Sequence, residues 1–257
     1  MPAGQIHEVA ARGFAGAVEA YERGRPGYPA DAVAFLGRTL RLGPAATVLD
    51  LAAGTGKLTF ALARTGARVV AVEPVERMRA ALAESLPDVT VMDGVAEAIP
   101  LRDAAVEAVT VGQAFHWFDG DAALAEIHRV LKPGGRLGLI WNWRDDSEDW
   151  VGRLNELIDR HPRPVPRYAD GAWREAFART RLFTPLERRT FRNPHELDPE
   201  GVVARVASIS FISALPDSAR SELLGQVREL VATHPETAGR ETVVLPYRAD
   251  FYWCERV

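Results

Sequence analysis

A glycine-rich segment at residues 50–57, with the sequence DLAAGTGK, is the strongest chemical signal in the chain. Gly54 and Gly56 permit a tight turn in which the backbone can touch a ligand. Glu73 follows Gly54 by 19 residues, at the predicted end of the next strand. A carboxylate at that point can accept hydrogen bonds from the two hydroxyls of a ribose. Together these features indicate a site for a ligand that contains a nucleoside.

The residues of this turn disfavour two of the three ligand classes that use such turns. A phosphate-binding loop of the pattern G-x-x-x-x-G-K-[ST] would place its first glycine on Leu51 and its hydroxyl residue on Leu58. A dinucleotide turn of the pattern G-x-G-x-x-G would place its glycines on Ala52, Gly54 and Lys57, so two of the three are missing. The third class of ligand, S-adenosylmethionine, is not disfavoured by the residues of this turn.

Asp50 favours S-adenosylmethionine as the ligand. It is a charged residue at the end of an otherwise apolar predicted strand, 46–51. A carboxylate at this place repels a pyrophosphate, whereas it attracts the cationic amino-acid end of S-adenosylmethionine. The alternative is a structural role, in which Asp50 caps the next helix or binds the turn.

Four segments of the chain together resemble class I S-adenosylmethionine-dependent methyltransferases. In chain order they are DLAAGTG at 50–56, Glu73, AEAIPL at 96–101 and LKPGG at 131–135, and the matching region spans about residues 45–142. The flanks YERGRPGYP at 21–29 and QAFHWFD at 113–119 resemble the small-molecule, type 11 branch, which includes trans-aconitate methyltransferase-like proteins. The resemblance implies an enzyme that moves a methyl group to a small-molecule acceptor, with a carboxylate or a hydroxyl as candidate acceptor group.

The resemblance also implies which residues bind S-adenosylmethionine. Around its methionine part and sulfonium it places Tyr21, Arg25, Asp50, Ala52, Gly54, Gly56, Gln113 and Ala114. Around its adenosine it places Glu73 at the ribose, with Pro74, Met78, Ala96 and Glu97 near the adenine. Two positions depart from the family pattern, because Ala52 replaces the usual glycine and Val95 replaces an aspartate found in many members.

Four further residues are candidates for the acceptor side of the site. His116 and Trp117 follow the fourth predicted strand, where the acceptor should meet the methyl group, and His116 could orient or deprotonate it. Trp141 and Arg144 lie at the end of the fifth predicted strand, and Arg144 could bind an acceptor carboxylate through two parallel hydrogen bonds. The alternatives are an aromatic cluster for His116 and Trp117 and a solvated loop for Arg144.

Alternating strands and helices must position these residues. Strands are predicted at 46–51, 68–72, 89–92, 106–111, 136–141, 186–191 and within 242–256, with helices at 30–40, 75–86, 120–131, 199–212 and 216–232. Such alternation predicts a buried parallel sheet with right-handed crossovers. The resemblance implies a doubly wound, Rossmann-like, mostly parallel seven-stranded α/β sheet with helices on both faces. We expect one domain, 1–257, with an N-terminal helical cap (1–40), a cofactor-binding core (45–142) and a sheet completion with a helical lid (143–257).

Composition restricts the possible partners. The 257 residues are 47% hydrophobic and 26% charged, with a formal net charge of −4, which is unfavourable for a nucleic-acid binder. Cys254 is the single cysteine, so an intrachain disulfide and a cysteine-based zinc site are excluded, and the scattered histidines predict no metal.

No stretch has the roughly 20 apolar residues that a membrane span needs, and no signal peptide is evident, so we expect a cytoplasmic protein. A non-catalytic S-adenosylmethionine binder and an NAD- or nucleotide-dependent enzyme remain as alternatives.

Overall fold

The computed structural model describes residues 25–161, 166 and 168–257. Within these residues the strands are β1 (Thr47–Leu51), β2 (Arg68–Val72), β3 (Thr90–Met92), β4 (Val106–Gly112), β5 (Leu131–Arg144), β6 (Glu187–Arg192), β7 (His195–Leu197), β8 (Val243–Leu245) and β9 (Tyr247–Glu255). The helices are α1 (Ala30–Thr39), α2 (Lys57–Ala63), α3 (Glu76–Ser85), α4 (Gly120–Val130), α5 (Asp149–Asp159), α6 (Arg174–Arg179), α7 (Pro199–Ala207), α8 (Ser210–Ser213) and α9 (Asp217–Thr233), with a 3-10 turn at Phe115–Trp117.

The central sheet has seven strands in the order β3-β2-β1-β4-β5-β9-β6. β1 pairs in parallel with β2 and β4, and β4 pairs in parallel with β5. β9 is antiparallel to both of its neighbours, β5 and β6. The prediction of a mostly parallel seven-stranded sheet is therefore confirmed. Because β1, β4 and β5 are parallel and adjacent, their carboxyl ends meet at one edge of the sheet, where open α/β sheets bind their ligands.

Helices cover both faces of this sheet, as expected for parallel strands. On one face, buried residues of α1 and α2 such as Leu36 and Leu62 pack against Val48 of β1. On the other face, residues of α4 such as Leu124 pack against Leu49 of β1. Alternate residues of the same strand therefore enter different cores, and both faces of the sheet are buried.

A helical cap, which we define as α5, α7, α8, α9 and the β7-β8 ladder, has a separate apolar core. Leu154 of α5, Val206 of α7 and Val227 of α9 are all fully buried in it. Tyr247, the first residue of β9, also belongs to this core and joins the cap to the sheet. The predicted helical lid thus has the hydrophobic contacts of a packed substructure.

One predicted helix boundary differs from the structure, and the tail expected to hold a final strand or strand pair contains a pair, each for a local reason. The expected helix 199–212 is broken into α7 and α8, because Ile209 between them has an extended backbone. The expected final strand region 242–256 is divided by Pro246, so β8 pairs with β7 and only β9 enters the central sheet. Proline cannot donate a ladder hydrogen bond, which explains why the two strands separate there. Among the residues that the structure describes, no helix has the length and apolar character required to span a bilayer.

Candidate functional site

The glycine-rich turn connects the end of β1 to the start of α2. Its backbone has positive φ angles at Ala52 (56°), Gly54 (61°) and Gly56 (95°). A side chain at Gly56 would also be crowded, because a Cβ atom there would lie 3.1 Å from Leu82 Cγ. Ala52 adopts a conformation that favours glycine, so the departure from the family pattern is accommodated at the expense of backbone strain.

Glu73 fixes this turn to the end of β2. Its carboxylate is 4% exposed and accepts hydrogen bonds from the Gly54 N–H (2.8 Å) and the Val75 N–H (2.9 Å). Burial raises the pKa of Glu73, and these two backbone donors oppose that rise. Because a carboxylate has about four lone-pair positions, each oxygen keeps the capacity to accept a further hydrogen bond from a ligand hydroxyl.

Asp50 lies beneath the same turn and is completely buried. The Thr59 hydroxyl donates to Asp50 Oδ2 at 2.6 Å, and the Thr110 hydroxyl lies 3.3 Å from Oδ1. Burial, with a smaller contribution from the negative charge of Glu73, raises the pKa of Asp50 to about 7. Thr59 lies in the first turn of α2, and its backbone also hydrogen-bonds to Asp50. Asp50 therefore also has the structural role that the sequence left open, at the start of the next helix.

An open cleft of about 650 Å³ lies where β1, β4 and β5 end. Five of the predicted site residues line it: Arg25, Asp50, Ala52, Gly54 and Gln113. Sequence reasoning had not selected several other lining residues: Tyr28, Thr55, Lys57, Asn142, Arg205 and Tyr247. The cleft therefore combines the glycine-rich turn with side chains from distant parts of the chain.

Thr55 gives independent evidence that the cleft is built for a polar ligand. Its side chain is 6% exposed, and Thr55 Oγ1 has no hydrogen-bond partner among the described residues. Leaving a buried hydroxyl without a partner costs roughly 1–3 kcal/mol. Since Thr55 lines the cleft, a bound ligand with polar groups, such as the amino-acid part of S-adenosylmethionine, would satisfy this hydroxyl.

The segment 25–29 forms one wall of the cleft and is held by two asparagines. Asn142 of β5 donates to the Gly27 carbonyl at 3.0 Å, and Asn193 donates to the same carbonyl at 2.8 Å. Tyr28 packs so closely on Gly112 that a Cβ atom there would lie 2.7 Å from the tyrosine hydroxyl oxygen. Tyr21, the other predicted residue of this segment, lies outside the described residues.

The predicted adenosine-binding residues lie near the turn but outside the lining of the cleft. Met78 is buried with its sulfur beside Gly54, and Ala96 is also buried. Glu97 Oε1 accepts a hydrogen bond from the Asp119 N–H at 2.9 Å. Pro74 is half-buried directly after Glu73. Their assignment to the adenine remains a prediction.

His116 is held in one protonation state by its neighbours. The Trp141 indole N–H donates to His116 Nδ1 at 3.2 Å, and burial lowers the pKa of His116 to about 4. The ring is therefore neutral at neutral pH, and its remaining proton lies on Nε2. His116 presents a hydrogen-bond donor there, whereas a general base would need a free lone pair. His116, Trp117 and Ala114 lie outside the lining of the cleft.

Trp141 and Arg144 are also placed by packing. Trp141 is 1% exposed and packs against both Tyr168 and Trp173, with ring centroids 4.8 and 4.6 Å away. Arg144 Nε donates to Asn155 Oδ1 of α5 at 2.7 Å, and burial lowers the pKa of Arg144. Neither lines the cleft. Trp141 belongs to an aromatic core, and Arg144 connects the end of β5 to the helical cap.

No group of three or more His, Cys, Asp or Glu side chains is arranged to hold a metal ion within the described ranges.

Comparisons with known proteins show similarity along nearly the whole chain. A methyltransferase-domain family model matches residues 49–139. An uncharacterized methyltransferase of Mycobacterium tuberculosis is 44% identical over 236 residues, covering 91% of each chain. An uncharacterized methyltransferase of Schizosaccharomyces pombe is 34% identical over 239 residues, covering 92% of this chain and 94% of the relative. Among solved structures, a protein assigned as a type II methyltransferase from Anaeromyxobacter dehalogenans has 24% identity and a TM-score of 0.69, covering 90% of this chain and 97% of the other.

Proposed function

The chain belongs to the class I S-adenosylmethionine-dependent methyltransferases, and we propose that its cleft binds the methionine part of S-adenosylmethionine and methylates an oxygen of a small acceptor. One observation carries the proposal. The Gly54 N–H donates to Glu73, so the turn that lines the cleft and the carboxylate suited to a ribose form one rigid unit. A ligand that places an amino acid on one side of this turn and a ribose on the other matches that unit.

S-adenosylmethionine supplies a methyl group whose bond to sulfur breaks, with the electron pair passing to sulfur, as an acceptor lone pair forms the new bond to carbon. The chain's own residues have to align the two reactants and exclude water. The segment 25–29 and the helical cap close two sides of the cleft and serve the second purpose. We assign no proton transfer to His116, because its Nε2 already carries a proton. An ionised acceptor oxygen needs no base.

We assign the remaining residues to parts of the cofactor according to where they lie in the cleft. Arg25 pairs with the cofactor carboxylate, since its guanidinium offers two parallel donors and Arg25 lines the cleft. Gln113 has a positive φ of 62° and lies at the end of β4 beside the sulfur position. Thr55 donates its hydroxyl, which has no partner among the described residues, to the amino-acid part. Asp50 attracts the cationic groups of the same part from beneath the turn.

The cofactor assignment is tested by ligand-dependent unfolding. Saturation with S-adenosylhomocysteine at 100 times its dissociation constant is expected to add about 2.7 kcal/mol to the free energy of unfolding, because the ligand binds only the folded state. NAD and ATP at the same concentration serve as controls and are expected to add nothing. Stabilisation by NAD or ATP without stabilisation by S-adenosylhomocysteine would reject the proposal. Release of S-adenosylhomocysteine during turnover distinguishes an enzyme from a non-catalytic binder.

The buried Asp50 predicts a specific pH dependence of stability in the ligand-free protein. Its pKa rises from 3.8 to about 7 on folding, so the folded protein retains a proton that the unfolded chain loses between about pH 4 and 7. By linkage, this group makes the free energy of unfolding fall as the pH rises through that window. We expect Asp50→Asn to remove this contribution, so the stability of the wild type relative to the variant should decrease from pH 4.5 to 7.

Urea unfolding at several pH values measures this difference. Asp88→Asn, at an exposed position, is the matched control and should leave the pH profile of the wild type unchanged. Parallel profiles for the wild type and Asp50→Asn would show that Asp50 is ionised throughout the window.

A further inference from the structure

The wall of the cleft that the helical cap contributes contains an arginine whose partners among the described residues are uncharged. Arg205, in the last turn of α7, donates from Nε to the Tyr247 hydroxyl at 2.8 Å and from Nη1 to the Ser208 hydroxyl at 3.2 Å. Both Arg205 and Tyr247 line the cleft. Within the described part of the chain, Arg205 forms no ion pair with a carboxylate. Its positive charge is therefore available to a ligand.

A second arginine approaches Tyr247 from the sheet. Arg144 is hydrogen-bonded to Asn155, and it interacts with the Tyr247 side chain as well. The positive charge of Arg205 adds to burial in lowering the pKa of Arg144, which shows that the two guanidinium groups repel one another. The negative charge of Asp146, which is exposed, opposes this lowering of the pKa of Arg144. An anion at Arg205 would relieve this repulsion.

The charges of the bound cofactor do not supply that anion. Arg25, Lys57 and Arg205 are the basic residues among the described lining residues, whereas Asp50 is the one acidic residue and is already hydrogen-bonded to Thr59. S-adenosylmethionine has a sulfonium and an ammonium group against a single carboxylate. Among the described charged side chains that line the cleft, three are basic and one is acidic, and this excess favours an anionic second ligand.

We propose that Arg205 and Tyr247, supported by Arg144, bind a carboxylate of the methyl acceptor and anchor it beside the cofactor. This inference rests on the proposed function. A carboxylate that is paired with a guanidinium and hydrogen-bonded to a phenol hydroxyl is a weaker nucleophile than a free one, so it serves as the anchor and the methyl group goes to another atom of the acceptor. A singly charged carboxylate fits better than a phosphate. Arg205 is at the carboxyl end of α7, where the helix dipole is negative, and Asp198 already occupies the amino end as its N-cap.

Calorimetric titration of the protein saturated with S-adenosylhomocysteine tests the anchor. The probes are succinate, its neutral analogue succinamide, and inorganic phosphate. Succinate is expected to bind the wild type, to bind Arg205→Gln at least tenfold more weakly and to bind Arg205→Lys with intermediate affinity, since lysine keeps the charge without the two parallel donors. Arg228→Gln is the matched control, because Arg228 pairs with Glu200 on the exposed side of the cap. Succinamide should not bind.

Several results would overturn the proposal. Equal succinate affinity in the wild type and Arg205→Gln would remove Arg205 from the site, and binding of phosphate without succinate would reject a carboxylate. A loss of S-adenosylhomocysteine binding in Arg205→Gln would assign Arg205 to the cofactor. If Arg205→Gln does not fold, Tyr247→Phe is used, and unchanged succinate affinity in it would count against the anchor. Failure of the wild type to bind S-adenosylhomocysteine is a separate result that rejects the proposed function.

Discussion

Replacing Glu73 with glutamine is expected to raise the dissociation constant for S-adenosylhomocysteine at least tenfold. The variant loses the negative charge that the ribose hydroxyls would share, and a charge-assisted hydrogen bond contributes roughly 1.5–3 kcal/mol. It also places an NH2 group opposite the Gly54 or the Val75 N–H, both of which now donate to the carboxylate. The free energy of unfolding should therefore fall by about 1–3 kcal/mol, the cost of leaving one buried donor unsatisfied.

Calorimetry with S-adenosylhomocysteine, at a temperature where circular dichroism shows the variant folded, measures the affinity. Glu76→Gln is the matched control, since Glu76 lies three residues later and is exposed in the first turn of α3. Unchanged affinity in folded Glu73→Gln would exclude Glu73 from the cofactor site. Because Glu73 anchors the turn, the structure predicts a loss of stability in this variant that its sequence position alone did not indicate.

Replacing Trp141 with alanine is expected to lower the free energy of unfolding by about 3–5 kcal/mol. The indole is 1% exposed and packs against Tyr168 and Trp173, so its removal leaves a cavity in a dense aromatic core. Substitutions of this kind cost about that much elsewhere. Trp141→Phe keeps most of the ring volume and should lose less, although it removes the N–H that donates to His116.

Urea unfolding measures the stability of both variants, and titration with S-adenosylhomocysteine measures their cofactor affinity. Since Trp141 does not line the cleft, the affinity of the folded variants should change less than threefold. A loss of stability below about 1 kcal/mol, together with a large rise in the KM for the acceptor, would contradict the packing role and favour the substrate-binding role that the sequence suggested.

Features carried by neighbouring residues could be predicted from the sequence. The pattern around Gly54 and Gly56 identified the turn, and positive φ angles there are what glycine permits. The alternation of short apolar runs with helical segments predicted the parallel sheet, because such strands need crossover helices. The spacing from Gly54 to Glu73 is one crossover long, so it also placed the carboxylate beside the turn.

Local pattern does not reveal how the candidate acceptor residues are packed. The sequence places Trp141 at the end of a predicted strand, whereas in the structure it lies within β5 and packs against Tyr168 and Trp173. His116 has a residue type suited to base catalysis, but the Trp141 indole and burial keep its ring neutral with Nδ1 occupied. The protonation of a side chain depends on what surrounds it in space, which the residue type does not reveal.

The chain by itself thus determined the turn, its two acidic residues and the mostly parallel character of the sheet, because each depends on residues within one strand-helix unit. Only the tertiary structure decided which side chains complete the cleft. Arg205 meets Tyr247 across 42 residues, and Asn142 meets Gly27 across 115. These contacts depend on how the helical cap and the segment 25–29 pack over the sheet edge. No local periodicity encodes that arrangement, since an arginine on a polar helix face has the same pattern whether it faces solvent or a cleft.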